Sequence, residues 1–207
     1  LKHQLIIFDF DGTLADTMPV FLRLFDEAAD KYHFKRLDHE QRHLLRGLDA
    51  RQIMALHKIP LWKVPMIASF MRSRMADRLD EIRLFPGVDD MLRVLSQRGV
   101  RLALVSSNSL SNVVATLGPD NEALFSHFEC GASLFGKLPK VRKVLAAAGV
   151  APEHTLMVGD EIRDAKVAAE AGADFGAVAW GYNLIETLMA ERPARVFHEI
   201  GELALGG

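Results

Sequence analysis

Residues Asp9-Phe10-Asp11-Gly12-Thr13 follow directly on the apolar run Leu5-Ile6-Ile7-Phe8. In an extended backbone the side chains at i and i+2 point the same way. Asp9 and Asp11 therefore share one side of the strand's end. Two carboxylates that close repel each other unless a cation or a shared proton compensates. Followed by Gly12 and Thr13, they point to a metal site with a nucleophile in it. The plain alternative is a strand that ends in an Asp-Gly turn.

Three later segments repeat the form. The run Val100-Arg101-Leu102-Ala103-Leu104-Val105 stops at the polar residues Ser106-Ser107-Asn108-Ser109. Phe135-Gly136-Lys137-Leu138-Pro139-Lys140 stands just before a helical stretch. Leu156-Met157-Val158-Gly159-Asp160-Glu161-Ile162-Arg163-Asp164 is a strand that ends in Gly-Asp, with another Asp four residues on.

The elements that position these groups are legible in the hydrophobic pattern. Strands are expected at about 4–10, 100–106, 128–131, 154–159, 174–179 and 195–197, and helices at 88–98, 109–117, 138–148, 162–171 and 184–190. Such alternation specifies an α/β fold, a parallel sheet with helices on both faces. The block 17–84 contains no strand. Val20, Phe21, Leu24, Phe25 and Ala28 recur at helical spacing, and Pro19 sits where a first turn tolerates it. Further helices are expected at 38–46, 49–58 and 61–83, interrupted by Pro60 and Pro65. The pattern thus divides the chain into a core, 1–16 plus 85–207, and an all-helical insert, 17–84, placed after the first strand. Asp9, Ser106 and Asp160 all fall at the C-terminal ends of strands, the edge at which open α/β sheets bind ligands.

The ordered set Asp-x-Asp-Gly-Thr, Ser, Lys, Gly-Asp-x-x-x-Asp resembles the haloacid dehalogenase-like hydrolase superfamily. Within it, the chain is similar to the phosphoglycolate phosphatase and β-phosphoglucomutase type, over roughly residues 4–16 and 85–200. The resemblance implies a five-stranded Rossmann-like core with strand one central, a mobile cap made by the insert, and Mg²⁺ as cofactor. It implies that Asp9 attacks phosphorus and becomes an aspartyl-phosphate. Asp11 would protonate the leaving alkoxide, then activate water. Asp9, the carbonyl of Asp11, Asp160 and Asp164 would hold the metal. Gly12, Ser106, Ser107 and Lys137 would surround the phosphoryl oxygens. The substrate would be a small phosphorylated metabolite, with a phosphomutase as the alternative outcome.

Several assignments stay open at this level. Lys140 competes with Lys137, because the family commonly places a proline straight after its lysine and Leu138 stands there instead. Ser106 could cap the next helix, and Glu161 could replace Asp160 or Asp164 as a ligand. Asp11 argues against a dehalogenase, which usually has an aromatic residue at that place. A transport ATPase would need a Lys-Thr-Gly-Thr context and membrane helices. Trp180-Gly181-Tyr182, at another strand end, borders the pocket or packs the core. In the insert, Arg46 and Gly47 lie in a Gly-centred connection, where Arg46 could meet a substrate carboxylate with its planar fork.

A different class of signal is His39-Glu40-Gln41-Arg42-His43, which matches the His-Glu-x-x-His pattern of zinc proteases. Its flanks are polar, no third ligand is evident, and a solvated helix face is the simpler reading. A receiver-like phosphorylation switch also gathers Asp, Ser or Thr and Lys at a sheet edge, but without a helical insert after strand one.

Composition bounds the rest. The 207 residues carry a formal charge of −2 with no basic cluster, which argues against nucleic acid. Uninterrupted apolar runs fall well short of the roughly 20 residues that a membrane helix needs. Cys130 is the single cysteine, which excludes an internal disulfide and fits a reducing cytoplasm. No signal peptide is visible, and a chain that opens on Leu1 is expected to lack an initial segment.

Overall fold

Leu5, Ile6, Ile7 and Phe8 form strand β1 (Leu5–Phe8), and all four are fully buried. A strand covered on both faces reads as a continuous apolar run, which is why the sequence here shows no alternation. The computed structural model describes residues 2–38, 46–48, 50–133 and 136–205. The His39-Glu40-x-x-His43 pattern and nearly all of the helix expected at 38–46 lie outside the described residues.

Five further strands join β1: β2 (Arg101–Val105), β3 (Phe125–Glu129), β4 (Thr155–Gly159), β5 (Asp174–Val178) and β6 (Arg195–Phe197). All pairings are parallel, in the order β3-β2-β1-β4-β5-β6. The sheet is therefore six-stranded, one strand larger than the resembled core. The extra strand is β6, which the hydrophobic pattern already marks at 195–197. Residues 125–129, rather than 128–131, form β3. It is an edge strand whose polar Ser126 and His127 break the apolar run, so its pattern is weak.

Two apolar layers flank the sheet. Ile6 and Phe8 pack with α4 (Val88–Gln97), α5 (Leu110–Glu122) and α9 (Ile200–Leu205) on one face. Leu5 and Ile7 pack with α6 (Leu138–Ala148), α7 (Ile162–Ala171) and α8 (Ile185–Met189) on the other. Successive residues of one strand thus feed opposite cores, as the pleat requires. Helix α5 carries a break at Gly118 before Pro119, where a helix expected at 109–117 should end and a second short turn begins instead.

Between β1 and α4 lie α1 (Met18–Tyr32), α2 (Ala50–Leu56) and α3 (Val64–Ala76). Pro65 sits in the first turn of α3, where its missing N–H is harmless. The helical span expected at 61–83, with Pro65 interrupting it, is a 3₁₀ turn, α3 and a second 3₁₀ turn. Phe25 and Leu37 centre a separate apolar cluster with Phe21, Phe34, Leu48 and Ile53. Among the described residues, no helix is long and apolar enough to cross a membrane.

Phe8 is fully buried and meets Phe125 edge-on at 6.3 Å. Phe8→Ala removes that ring from the centre of the sheet. It should lower unfolding free energy by about 3–5 kcal/mol, read as a shifted midpoint in urea denaturation with an unchanged slope.

Candidate active site

The site forms where β1, β2 and β4 end. Asp9 continues β1, and its N–H donates to Val158 O of β4 at 2.9 Å. The chain then folds back at once, because the N–H groups of Leu14 and Ala15 both donate to Phe10 O. Gly12 makes this turn at φ +80°, and a side chain there would overlap the Asp160 carboxylate and the Tyr182 ring. Only glycine meets both demands.

Asp9, Asp160 and Asp164 are buried, and their carboxylate oxygens lie within 4.8 Å of one another. Lys137, also buried, places Nζ 2.6 Å from Asp9 Oδ2 and 2.7 Å from Asp164 Oδ1. It opens the turn into α6, immediately after Gly136 at φ +73°. Lys140, one turn further on, is directed elsewhere: Nζ donates to Ser106 O at 2.9 Å and also contacts Gly131 O.

Each carboxylate of the cluster is held by its own donors. The Phe10 N–H donates to Asp9 Oδ1 at 2.8 Å, while Asp9 Oδ2 faces Lys137 without a well-aligned hydrogen bond. Asp160 accepts from Thr13 Oγ1 and from the Tyr182 N–H, both at 2.7 Å. Asp164 Oδ2 accepts from the Glu161 N–H at 3.1 Å, one half of a capping box in which the Glu161 side chain caps α7. Glu161 is thus occupied as an N-cap and paired with Arg163 at 2.7 Å.

Asp11 stands apart from this trio. Asn108 Nδ2 donates to its Oδ1 at 3.1 Å, and Ser106 Oγ lies 3.5 Å from its Oδ2. Ser106 is fully buried and accepts the Asn108 N–H at 3.0 Å. The helix-capping task falls to Ser109, whose hydroxyl accepts the Asn112 N–H. Ser107 is exposed in the turn between them. Arg46 Nη2 and Nε donate to the carbonyls of Gly181 at 2.9 Å and Tyr182 at 3.3 Å, so two of its nitrogens are engaged by the main chain. Gly47, beside it, is half-buried.

Residues without an assigned role in the sequence pattern complete the site. Thr13 and Tyr182 hold Asp160. Asn108 holds Asp11. Thr17 Oγ1 and Tyr182 OH are 2.8 Å apart and tie the start of α1 to the same loop. Trp180 both borders the site and packs the core, because Nε1 donates to Thr13 O while the ring stacks edge-on with Phe85. The available signal was the small residue Gly181 at a strand end between two aromatics. A side chain there would run into Asp160 itself.

Burial raises the Asp9 carboxyl to about 7 despite the opposing pull of Lys137. Asp160 is pushed well above the usual carboxylate range, first by burial and then by the charges of Glu161, Asp9 and Asp164. Burial also raises Asp11, against the hydrogen bond from Asn108. For Lys137, burial acts downward, and the carboxylates of Asp164 and Asp9 more than offset it, so it stays protonated. Burial pushes the Cys130 thiol up to about 11, which fits a half-buried apolar residue rather than a nucleophile.

With all three ionised, the carboxylates outweigh the one ammonium among them by two charges, which is why burial without a cation pushes Asp9 and Asp160 towards their protonated forms. An all-oxygen donor set with that excess fits a hard divalent cation.

The chain matches the family described as haloacid dehalogenase-like hydrolase over residues 6–178. It is 32% identical over 191 residues to a phosphoglycolate phosphatase from Synechococcus elongatus, covering 92% of this chain and 90% of that protein. A haloacid dehalogenase-like family hydrolase from Streptococcus pneumoniae superposes with a TM-score of 0.83 at 22% identity, covering 99% of this chain and 98% of that one. CbbY from Rhodobacter sphaeroides, in a mutant form complexed with xylulose-1,5-bisphosphate, superposes with a TM-score of 0.74 at 25% identity, covering 97% and 96%.

Two outcomes follow from the charge balance. In metal-free protein, Asp9 holds a proton in the folded state that the unfolded chain releases near 3.8, so its contribution to stability is lost as pH rises through about 7. A divalent cation would need the deprotonated ligands and gain most where that loss is complete. If the cluster takes a divalent cation, the rise in melting temperature on adding one, Mg²⁺ being the first to try, should be larger at pH 8 than at pH 5.5. Gly181→Ala should displace Asp160 and weaken the binding of an added divalent cation by about 10-fold or more in titration calorimetry.

Proposed function

The chain belongs to the haloacid dehalogenase-like hydrolase family, and on that footing we propose that it is a Mg²⁺-dependent phosphatase that hydrolyses a small phosphorylated metabolite through an aspartyl-phosphate. The supporting observation is the meeting of Asp9, Asp160 and Asp164 around Lys137 at the strand ends. The relative from Synechococcus makes phosphoglycolate the first substrate to assay, and CbbY extends the class to sugar phosphates.

Asp9, Asp160 and Asp164 are the side chains that would hold Mg²⁺, with the Asp11 carbonyl as a further ligand by family resemblance. When bound, the ion would screen the phosphate dianion from the Asp9 carboxylate. Lys137 adds a compact positive charge beside the attacking oxygen and favours the ionised form of Asp9 against the opposing effect of burial. The Phe10 amide fixes the carboxylate by holding Oδ1.

In the first step an Asp9 oxygen attacks phosphorus, the ester P–O bond breaks, and Asp11 passes its proton to the departing alkoxide. In the second, Asp11 takes a proton from water. That water attacks phosphorus, the Asp9–phosphate bond breaks, and inorganic phosphate leaves. Burial suits Asp11 to both halves, because its raised carboxyl holds a proton more readily than a free aspartate does. Asn108 holds Asp11 in position, and the Ser106 hydroxyl beside it is a donor for a phosphoryl oxygen, whereas the Gly12 and Thr13 N–H groups are engaged by carbonyls of their own turn.

Residues 17–84 act as a cap over this edge. A direct contact between Arg46 and substrate requires the guanidinium to exchange the Gly181 and Tyr182 carbonyls for a substrate anion.

Phosphate release from a panel of phosphorylated metabolites tests the reading. Turnover should vanish in EDTA and return with Mg²⁺. Asp9→Asn should abolish it, since an amide is no nucleophile. Asp11→Asn should lower kcat by about 10²–10⁴-fold while sparing Mg²⁺ binding. Full activity in metal-free buffer would sink the mechanism. Isomerised phosphate esters without free phosphate would identify a mutase.

A further inference from the structure

Asn183 follows the aromatic loop after β5 and is only 6% exposed. A buried primary amide must satisfy two donors and an acceptor, and Asn183 does so by joining two distant parts of the chain. Its Oδ1 accepts the Ile162 N–H at 3.0 Å. Ile162 is the first residue of α7, so that N–H has no partner within its own helix. Its Nδ2 donates to Arg46 O at 2.9 Å and to Leu48 O at 3.3 Å, both in the helical insert. Its own N–H donates to Asp160 O at 3.2 Å.

The neighbours strengthen both arms. The Leu184 N–H donates to Arg46 O at 2.7 Å. The Arg46 side chain returns two hydrogen bonds to the carbonyls of Gly181 and Tyr182, and the Tyr182 N–H holds Asp160. Helix α7 carries Asp164 in its first turn, hydrogen-bonded to the Glu161 N–H just before Ile162. One side chain therefore bridges the insert and the strand-to-helix turn that presents Asp160 and Asp164.

We propose that Asn183 is a positioning residue that couples docking of the 46–48 segment to the order of the α7 N-terminus and its two carboxylates. If the insert is the cap of a phosphatase, as the reading above holds, seating the cap on substrate also completes the acidic cluster, and loading the cluster favours the seated cap. Such coupling is reciprocal.

Two amides report the two arms separately. Leu184 N–H is protected from hydrogen exchange by the insert, and Ile162 N–H by the Asn183 side chain. Exchange is measured by NMR on metal-free protein, so the result is independent of phosphatase activity, and failure of phosphate release would leave it standing. Arg46→Ala loosens the insert side. It should speed exchange at Leu184 and also at Ile162, each by at least about fivefold, the low end for coupled sites. In an Asn183→Ala background, Arg46→Ala should add nothing at Ile162.

Asn183→Asp keeps the acceptor for Ile162 and loses the donor to the insert. It should retain protection at Ile162 and lose it at Leu184. The amide of Ile7, central in the sheet, distinguishes local loosening from global unfolding. If Asn183→Ala unfolds, Arg46→Ala and Asn183→Asp still carry the test. Faster exchange at Leu184 with an unchanged rate at Ile162 in Arg46→Ala would overturn the coupling. So would full protection of Leu184 in Asn183→Asp.

Discussion

Three buried carboxylates held within 4.8 Å of one another, with Lys137 as the ammonium inserted among them, set the terms for the surrounding structure. Removing like charges from water and placing them together is unfavourable twice over, through desolvation and through repulsion. The raised carboxyls of Asp9 and Asp160 express that cost. Such a cluster persists only where the backbone around it is over-determined. The fold supplies this with β1 hydrogen-bonded on both sides and with donors fixed by short turns.

That constraint explains the glycines and aromatics nearby. Gly12 and Gly181 both approach Asp160 closer than any side chain would permit. Tyr182 then closes the layer: its N–H holds Asp160, its hydroxyl meets Thr17, and its ring meets Phe21 edge-on at 5.4 Å. A single loop after β5 is thereby in contact with the carboxylate cluster, the first helix of the insert and the 46–48 segment. The 46–48 segment and the acidic cluster share supports, although Arg46 and Asn183, which join them, lie 137 positions apart in the chain.

The relation to other haloacid dehalogenase-like hydrolases is consistent with this arrangement. The matched span, residues 6–178, runs from β1 to the end of β5, and so includes every strand that contributes to the acidic edge. At 22% identity the Streptococcus hydrolase shares the fold over nearly the whole of both chains.

The sequence by itself determined the parallel sheet, most of its strands and the edge at which chemistry could occur. Leu5 to Phe8, Leu102 to Val105 and Leu156 to Val158 are apolar runs buried on both faces, and each ends in a polar residue at the same edge. Periodicity is a local property, so the chain displays it openly. The helices at 138–148 and 162–171 were legible to the residue for the same reason. The weaker edge strand β3 starts three residues and ends two residues before its expected place, because Ser126 and His127 interrupt its apolar run.

Only the tertiary structure shows which of Lys137 and Lys140, one turn apart and of identical type, stands beside Asp9. The choice depends on how α6 is rotated against β2, and that rotation places Lys137 beside Asp9 and Lys140 on the Ser106 carbonyl. The same holds for Asn108, Tyr182 and Asn183. Their contacts reach 97, 22 and 137 positions along the chain. No local pattern records a partner that distant, because the hydrogen bond exists only once the sheet, the loop after β5 and the insert have come together.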